Sequence, residues 1–400
     1  MKKIFIKTSL LFFTAAMILS LGNINATASS RPELGIWITV FSSEKVLDSK
    51  ENVDYLISFC QRTGINNIYI QIYRADTAYY DSSITNNSPF KERLDRTGSD
   101  TLRYLLSSAK EKNIKVHAWV NLLSLAQNTN ANILKKYGRD VLTLDQYERS
   151  SMREGPKDNY DNYFIREDQL FLEPSDVRVK NYLLDIVKEI LKKYPDFSGL
   201  HLDYIRYPSV VPFAPGARFD KYGIGYGYTK NNMQAFKNTT GLYPKSMDRS
   251  GDNCTLWDDW RRHKITELVK EISQTARNLK PSLIISATTV PSLERSYFVI
   301  FQDWTNWLGK AYVDHVVFMN YNENTKFMTM NAFSLLWPNT RDKIYIGLGA
   351  YLMKDDNENL KRQIDTLKKL SPGGIVIFSY DDIAHNTEIQ DFLAEKFAND

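Results

Sequence analysis

The chain has 400 residues, of which 43% are hydrophobic and 24% are charged, a balance typical of a globular protein that excludes a disordered one. It carries 51 basic and 47 acidic side chains, and three of the lysines lie in the first 28 residues, so the rest of the chain is close to neutral. A nearly neutral body argues against a nucleic-acid-binding protein, which needs a clustered basic surface.

The first 28 residues have the pattern of an export signal. Three lysines precede the apolar run 10–21, and Ala26-Thr27-Ala28 follows as a cleavage site. The run is too short to span a membrane, and no cysteine follows it that would carry a lipid. We therefore expect residues 1–28 to be a signal peptide and residues 29–400 to be one secreted or periplasmic domain without a membrane span. The alternative is an uncleaved N-terminal anchor.

Eight short β-rich runs follow along the chain, and helical patterns separate them. Strands are predicted at residues 34–41, 67–73, 115–123, 199–207, 283–290, 313–321, 343–352 and 373–380. Helices are predicted at residues 45–62, 101–112, 177–193, 256–279, 302–308, 328–336, 357–370 and 388–397. Eight strand–helix repeats predict a (β/α)8 barrel of the TIM type. A doubly wound open sheet is the alternative, but no glycine-rich dinucleotide fingerprint follows the first strand.

Alternation within these runs gives each strand two different faces. In the third strand His117, Trp119 and Asn121 lie opposite an aliphatic set, and in the fourth strand His201 and Asp203 lie opposite two leucines. We expect the aliphatic face to meet the helices and the other face to line the barrel. Such a lining suits an open mouth that binds a polar, ring-shaped ligand. A hydrogen-bonded polar core is the alternative.

Two long insertions, residues 124–173 and 207–255, follow the third and fourth strands. Both begin at strand C-termini, so both belong to the face on which barrel enzymes carry their active sites. Loops of this length are commonly functional.

Cysteines and histidines give no sign of a metal site. Cys60 and Cys254 are the only cysteines, and 194 residues separate them, so the spacing does not indicate a disulfide. The five histidines are scattered along the chain. We expect neither a metal nor an organic cofactor.

The most informative stretch is residues 199–208, which read Gly-Leu-His-Leu-Asp-Tyr-Ile-Arg-Tyr-Pro. A carboxylate at the C-terminal end of a barrel strand lies where barrel enzymes keep their chemistry. By the alternation above, Asp203 points into the mouth and His201 lies one layer beneath it. Arg206 is placed to bind a substrate or to pair with a nearby carboxylate. The alternative is an Asp–Arg pair that only locks the loop after the strand.

Several further motifs accompany this stretch, namely Gly35-Ile36-Trp37-Ile38-Thr39, Gln71-Ile72-Tyr73-Arg74, His117-Ala118-Trp119-Val120-Asn121 and Leu172-Glu173-Pro174-Ser175. Together they resemble the glycosyl-hydrolase-like family ten barrels of bacterial envelopes, over almost the whole mature length. Two departures stand out. Many members have two adjacent Asp residues where this chain has Asp203 and Tyr204, and the region of Asn320 and Tyr321 differs from the family's usual Gln-x-Tyr-Trp ending.

The resemblance implies cleavage of the glycosidic bonds of a polysaccharide, with bacterial cell-wall glycan as the expected substrate. Such cleavage requires two carboxyl groups, one of which protonates the leaving oxygen. Asp203 is the first. For the second we favour Glu323, after the sixth strand, and then Asp381, after the eighth. Three other acids remain open as alternatives, namely Asp76, Glu173 and Asp382.

Sugar-binding residues are expected around the same mouth, because aromatic faces stack on sugar rings and Arg and Asn bind hydroxyl groups. The predicted set is Trp37, Arg74, Trp119, Asn121, Arg206, Tyr207, Asn320, Tyr321, Tyr351 and Tyr380. Burial within the barrel is the alternative for Trp37 and Trp119. The competing function is a non-catalytic glycan-binding barrel of the cell envelope. A second carboxyl group facing Asp203 favours the enzyme.

Overall fold

The computed structural model describes residues 32–157, 162–211, 224–248 and 250–398. Its main sheet contains eight parallel strands, β1 Glu33–Ile38, β2 Asn67–Arg74, β3 Lys115–Asn121, β4 Gly199–Asp203, β5 Ile284–Thr289, β6 His315–Met319, β7 Ile344–Gly349 and β8 Gly374–Phe378. Each strand pairs with the next, and β1 pairs with both β2 and β8. The sheet therefore closes, and the predicted barrel is confirmed. The predicted signal peptide lies outside the described residues.

Eight helices follow the strands in turn, α1 Lys50–Thr63, α2 Thr101–Glu111, α3 Val177–Lys193, α4 Gly251–Leu279, α5 Trp304–Gly309, α6 Thr325–Leu335, α7 Asn357–Leu370 and α8 Thr387–Leu393. Additional short helices span Ser88–Thr97, Asn132–Tyr137, Lys230–Thr240, Leu293–Phe298 and Tyr380–Ile383, with single turns at Val46–Asp48, Arg139–Val141, Arg341–Lys343, Ala350–Met353 and Ala394–Ala398. No helix in the described part of the chain combines the length and hydropathy that crossing a membrane requires.

The helices begin where the sequence supplies side-chain caps. Asp176 accepts a hydrogen bond from the backbone N–H of Arg178 at the start of α3, and Ser49 accepts one from Asn52 at the start of α1. α1 ends at Thr63 and is capped by Gly64, whose φ of +73° lies in the left-handed region that glycine adopts at little cost. Apolar residues at helical spacing then pack on the strands, as in α3 with Val179, Leu183, Ile186, Val187 and Ile190.

The two strand faces lie as the alternation predicts. The aliphatic face is buried between strands and helices, while bonds cross the barrel interior from Trp37 to His201 and from Tyr69 to His315. The interior is tightly filled around Trp37. Its ring lies 2.8 Å from the position that a Cβ atom on Gly347 would take, so β7 needs glycine there.

The predicted strands are correct in position, and all except the second are too long at their C-terminal ends, whereas β2 extends one residue beyond its predicted end, to Arg74. β4 ends at Asp203 instead of continuing to 207, and Tyr204 already has a φ of +51°. β8 ends at Phe378, and Tyr380 begins a helical turn. Beyond these ends the alternation no longer indicates which side chains point into the barrel.

The two long insertions pair with each other. Ile165–Arg166 of the first insertion forms an antiparallel pair with Val210–Val211 of the second. Within the first, Ser124–Ala126 pairs with Leu170–Phe171. A further short strand, Thr77–Ala78, pairs with β2. The loops after β3 and β4 therefore form one connected structure at the C-terminal ends of these strands.

Candidate active site

The barrel interior has a lower layer, defined here as Tyr69, His117, His201 and His315, which is fully or almost fully buried. Burial lowers the pKa of all three histidines, that of His315 to about 4. The imidazoles are therefore neutral near pH 7. Their bonds are Trp37 Nε1 to His201 Nε2 (3.1 Å), His201 Nδ1 with Ser286 Oγ (2.7 Å), Tyr69 OH with His315 Nε2 (3.1 Å), and His117 Nε2 with Asn67 Oδ1 (2.9 Å).

Above this layer, Asp203 lies at the C-terminal end of β4 with both carboxylate oxygens bonded. Oδ1 accepts hydrogen bonds from Thr288 Oγ1 (2.5 Å) and from the backbone N–H of Tyr204 (2.7 Å). Oδ2 accepts one from Trp119 Nε1 (3.0 Å). One lone pair of Oδ2 therefore has no partner among the described residues, and it is open to a proton.

Asp203 is only 6% exposed, and burial raises the pKa of its carboxyl group above the ordinary range. The donors on Thr288, Tyr204 and Trp119 oppose this rise because they stabilise the charged form, as does the positive charge of Arg206. Burial is the larger influence. A carboxyl group of this kind retains its proton to a higher pH than a solvated aspartate, which suits a general acid.

We define the mouth as Gln71, Asn121, Asp203, Thr288, Tyr321 and Tyr351. Asn121 lies beside Asp203 in the pairing of β3 with β4, and its Oδ1 accepts a hydrogen bond from Gln71 Nε2 (3.0 Å). Gln71 Oε1 in turn accepts one from the backbone N–H of Val40 (3.2 Å). The amides of β2 and β3 are thus fixed side by side next to the carboxylate.

An aromatic wall closes the opposite side of the mouth. Tyr321 packs against Trp37 edge to face, with ring centres 6.4 Å apart, and stacks on Phe378 at 5.4 Å. Burial raises the pKa of Tyr321, and the charge of nearby Asp203 adds to the rise. Tyr351 contacts Tyr321 at 6.0 Å and is 41% exposed, so part of its ring is open to a ligand.

Two of the predicted sugar-binding residues, Trp37 and Arg74, do not lie in the mouth. Trp37 is 1% exposed, so the alternative of burial within the barrel describes it. Arg74 lies at the end of β2, and its guanidinium is 4.8 Å from the ring centre of Phe41, which is exposed. Arg74 and Phe41 therefore form part of the rim rather than the floor of the mouth.

Arg206 forms a buried ion pair instead of facing the mouth. Its two Nη atoms donate to the two carboxylate oxygens of Glu167, at 2.9 and 2.7 Å, and its guanidinium lies over the rings of Tyr204 and Phe171. Burial by itself would raise the pKa of Glu167, but Arg206 lowers it below the usual range. Arg206 thus joins the two insertions, and both of its Nη atoms are bonded to Glu167.

Three other predicted sugar-binding residues are also turned away from the mouth. Tyr207 is buried and its hydroxyl donates to Glu173 (2.7 Å). Tyr380 packs on Phe59 of α1, outside the barrel. Asn320 is buried, with its Nδ2 donating to the carbonyl of Met328 in α6. All three lie beyond the last residue of a strand, where the alternation fails.

The two predicted partner acids are placed differently from each other. Glu323 is exposed in the loop after β6, two residues beyond Tyr321, and its backbone carbonyl accepts a hydrogen bond from Asn359 Nδ2 (2.8 Å). Asp381 accepts hydrogen bonds from the backbone N–H and the hydroxyl of Ser43. Neither forms a hydrogen bond to Asp203 in the described part of the chain.

The remaining candidate acids have structural partners. Asp76 accepts hydrogen bonds from Tyr73, Thr85 and Tyr182. Glu173 accepts bonds from three side chains, and burial raises the pKa of its carboxyl group. Asp382 caps the helical turn that begins after Ser379. Among the described residues no group of three or more His, Cys, Asp or Glu side chains is arranged to hold a metal ion.

The predicted site residues omit three residues that shape the site, namely Gln71, Thr288 and Glu167. Thr288 lies in β5, in which Ser286 pairs with His201 of β4. Ser286 and Thr288 are polar residues at alternate positions of this strand, and that alternation was the sequence signal that could have identified Thr288. Glu167 had no local signal, because it lies in an irregular insertion 39 residues before its partner Arg206.

Comparison with known proteins gives a consistent result. A sequence model of the family described as Glycosyl hydrolase-like 10 matches residues 33–364. The glycosyl hydrolase DigH of Escherichia coli is 21% identical over 84% of this chain and 80% of its own length. The glycosyl hydrolase YngK of Bacillus subtilis is 23% identical over 90% of this chain and 71% of its own length.

Among solved structures, the PgaB (BpsB) glycoside hydrolase domain from Bordetella bronchiseptica superposes with a TM-score of 0.65 at 13% identity. The match covers 92% of this chain and 99% of that domain. At this identity the likeness shows the fold alone, and it agrees with the closed eight-stranded barrel described above.

Proposed function

The chain belongs to the glycosyl hydrolase-like 10 family, and we propose that it hydrolyses the glycosidic bonds of a polysaccharide, with bacterial cell-wall glycan as the substrate. Family and fold support a glycosidase-type function. The observation that carries the proposal is the buried Asp203 at the end of β4, with one open lone pair on Oδ2.

In the proposed reaction Asp203 is the general acid. Its raised pKa keeps a proton available, and Oδ2 is the oxygen that delivers it to the leaving glycosidic oxygen. Thr288 and the backbone N–H of Tyr204 hold Oδ1, so the carboxyl plane is fixed before the sugar binds. Gln71 and Asn121 would bind sugar hydroxyls, and Tyr351 would stack on a sugar face.

The second carboxyl group is also part of the proposal. Glu323 is the first candidate because only one residue separates it from Tyr321, which lies near Asp203. Its exposed side chain has room to reorient over a bound glycan. Asp381 is the second candidate, and it would have to leave Ser43 to act. The separation of the two carboxyl groups in a glycan complex would then indicate retention at about 5 to 5.5 Å or inversion at about 6.5 to 9.5 Å.

The test is cleavage of purified cell-wall glycan, which is measured by the release of reducing ends. Asp203→Asn keeps the shape of the side chain and removes the proton, so the rate should fall by about two to four orders of magnitude. Asp355→Asn is the matched control, since Asp355 is exposed in the loop after β7. Full cleavage by a folded Asp203→Asn protein would contradict the assignment. Glu323→Gln and Asp381→Asn, measured in parallel, identify the partner.

A non-catalytic glycan-binding barrel is the second candidate function. It is favoured by the placement of the predicted partner acids, because Glu323 points to solvent and Asp381 is held by Ser43. Binding of glycan by the wild-type protein without any release of reducing ends would select this function.

Export is proposed on the basis of the first 28 residues. N-terminal sequencing of the protein recovered outside the cytoplasm should begin at Ser29. A recovered chain that still carries Lys2 and Lys3 would contradict cleavage at this site.

A further inference from the structure

A cavity of about 210 Å³ opens beside the mouth, between the loop after β1, the end of β2 and the helix Ser88–Thr97. Gln71 lines this cavity and also donates to Asn121 of the mouth, so the two spaces are adjacent. β2 and β4 are separated by one strand, which places the cavity roughly 10 Å from Asp203 across the sheet. That distance suits a neighbouring sugar position rather than the bond that is cleaved.

A buried cation without a counter-ion lines the cavity. Arg93 is 6% exposed, and its Nη2 donates to the backbone carbonyl of Tyr79 (2.8 Å). No carboxylate of the described residues forms an ion pair with Arg93, and burial lowers the pKa of its guanidinium. Asp100 and Asp48 oppose this lowering only through their charges at a distance. A buried charge normally has a partner, because its desolvation is costly.

A second polar group in the cavity is also unsatisfied. The hydroxyl of Ser42 is buried and has no hydrogen-bond partner among the described residues. Buried hydroxyl groups are nearly always bonded in native structures. Ser42 and Arg93 therefore both present unused donors to the same space.

The charges around the cavity favour a single negative charge. Arg96 is already paired with Asp48 (2.9 Å), which leaves Lys45 and Arg93 facing one further acid, Glu92. The lining thus has one excess positive charge. The carboxylates of Asp48 and Glu92, which also line the cavity, would repel a dianion such as phosphate more strongly than a monoanion.

We propose that this cavity binds the carboxylate of an acidic sugar unit in the glycan, with Arg93 as its main ligand. The proposal rests on the proposed function, since it assigns the substrate an acidic sugar near the cleaved bond. A guanidinium fork matches a carboxylate through two parallel hydrogen bonds. Ser42 supplies a third donor, and Lys45 contributes charge from the edge of the cavity.

The experiment measures binding of sodium glucuronate to the mature protein by calorimetry, with glucose as the uncharged counterpart and inorganic phosphate as the competing anion. Glucuronate should bind at least about 10-fold more tightly than glucose, and Arg93→Gln should weaken it by about 10- to 100-fold. Lys45→Gln should weaken it by about 2- to 5-fold. Lys91→Gln, an exposed lysine on the same helix, should leave it unchanged.

Three results would overturn the proposal. They are equal binding of glucuronate and glucose, unchanged glucuronate binding by a folded Arg93→Gln protein, and tighter binding of phosphate than of glucuronate. If Arg93→Gln does not fold, glucuronate binding is measured for Ser42→Ala and Lys45→Gln instead. Unchanged glucuronate binding by both variants would overturn the proposal. This experiment measures binding and not cleavage, so the two proposals can fail separately. Arg93-dependent binding of glucuronate, together with no release of reducing ends by the wild-type protein in the glycan cleavage assay, would refute the proposed function and leave the anion site standing.

Discussion

The lower layer and the mouth occupy the same barrel, a few ångströms apart, yet they use polar side chains in opposite ways. In the lower layer, His201 has both ring nitrogens bonded and all three histidines are neutral. In the mouth, Asp203 is equally well buried but keeps one oxygen lone pair unused, and Tyr351 is partly open to solvent. At His201, burial with both ring nitrogens bonded gives structure, whereas at Asp203 burial with one position open gives a site for chemistry. The lower layer is not satisfied throughout, since His117 Nδ1 is buried without a hydrogen-bond partner among the described residues.

The largest effect expected from this comparison is loss of stability in acid. Because burial holds the pKa of His315 at about 4, below its ordinary 6.5, the unfolded chain binds more protons than the folded chain between these values. Stability should therefore fall as the pH drops from 6.5, by about 3 kcal/mol at pH 4 for this residue alone. Urea unfolding at pH 7, 5.5 and 4 measures this fall in the free energy of unfolding.

His385 provides the control for this prediction, since its side chain is 71% exposed. His315→Gln should reduce the pH dependence, and it should do so by much more than His385→Gln does. A free energy of unfolding that is flat between pH 7 and pH 4 would show that the lower layer tolerates protonation.

The next effect is structural and comes from His201→Phe. This substitution removes the acceptor of Trp37 Nε1 and the Nδ1–H donor to Ser286 Oγ, so one buried donor and one buried acceptor lose their bonds. The free energy of unfolding should fall by about 2 to 4 kcal/mol. Cleavage by the remaining folded protein should change far less. A variant as stable as the wild type but inactive would place His201 with the mouth instead of the lower layer.

A smaller effect is expected in the mouth from Trp119→Phe, which keeps an aromatic ring but removes the indole N–H that donates to Asp203 Oδ2. The value of kcat should fall about 10-fold. The pKa of Asp203 should rise further, because one bond to its charged form is lost. If Asp203 is the acid, the alkaline limb of the pH profile moves to higher pH.

The matched control is Trp337→Phe. Trp337 is half-exposed, and its indole N–H donates to the backbone carbonyl of Ser334 (3.1 Å). The same atoms are removed, so the pH profile of this variant should overlay that of the wild type. A shift of the acidic limb in Trp119→Phe, with the alkaline limb fixed, would assign Asp203 as the base.

The smallest effect is expected from Tyr351→Ala at the open edge of the mouth. Loss of one stacking ring should raise KM by about 2- to 10-fold and leave kcat unchanged. Tyr55→Ala is the control, because Tyr55 is similarly exposed, at 43%, on the outer face of α1. An unchanged KM in Tyr351→Ala would remove this ring from the sugar-binding surface.

Strand alternation predicts the barrel and most of its interior, because period-2 patterning is a local property of the sequence. It predicts that Trp119, Asn121 and Asp203 point into the barrel, and their hydrogen bonds lie there. Tyr207 and Tyr380 lie just past the ends of β4 and β8, where the backbone leaves the extended conformation. Their burial depends on packing against distant residues, which no local pattern contains.

The ion pair of Arg206 shows the same limit in another form. Its position after β4 predicts either a substrate contact or a carboxylate partner, and the partner is Glu167, which lies in the other insertion. The pairing of Ile165–Arg166 with Val210–Val211 and the bond from the backbone N–H of Ser209 to Glu167 bring them together. The cavity around Arg93 is likewise formed by three separate segments, so its unsatisfied donors become visible only in the folded chain.

The pairing of β1 with β8 has a consequence for how the molecule is made. Residues Glu33 to Ile36 pair with Gly374 to Ile377. The first barrel strand to be synthesised therefore lacks one of its two neighbours until the last barrel strand has been synthesised. Until then one edge of β1 presents unpaired backbone groups on which other chains can add. Contacts this far apart in sequence form slowly. Correct folding of the barrel therefore depends on β1 being kept from aggregation until β8 has been synthesised.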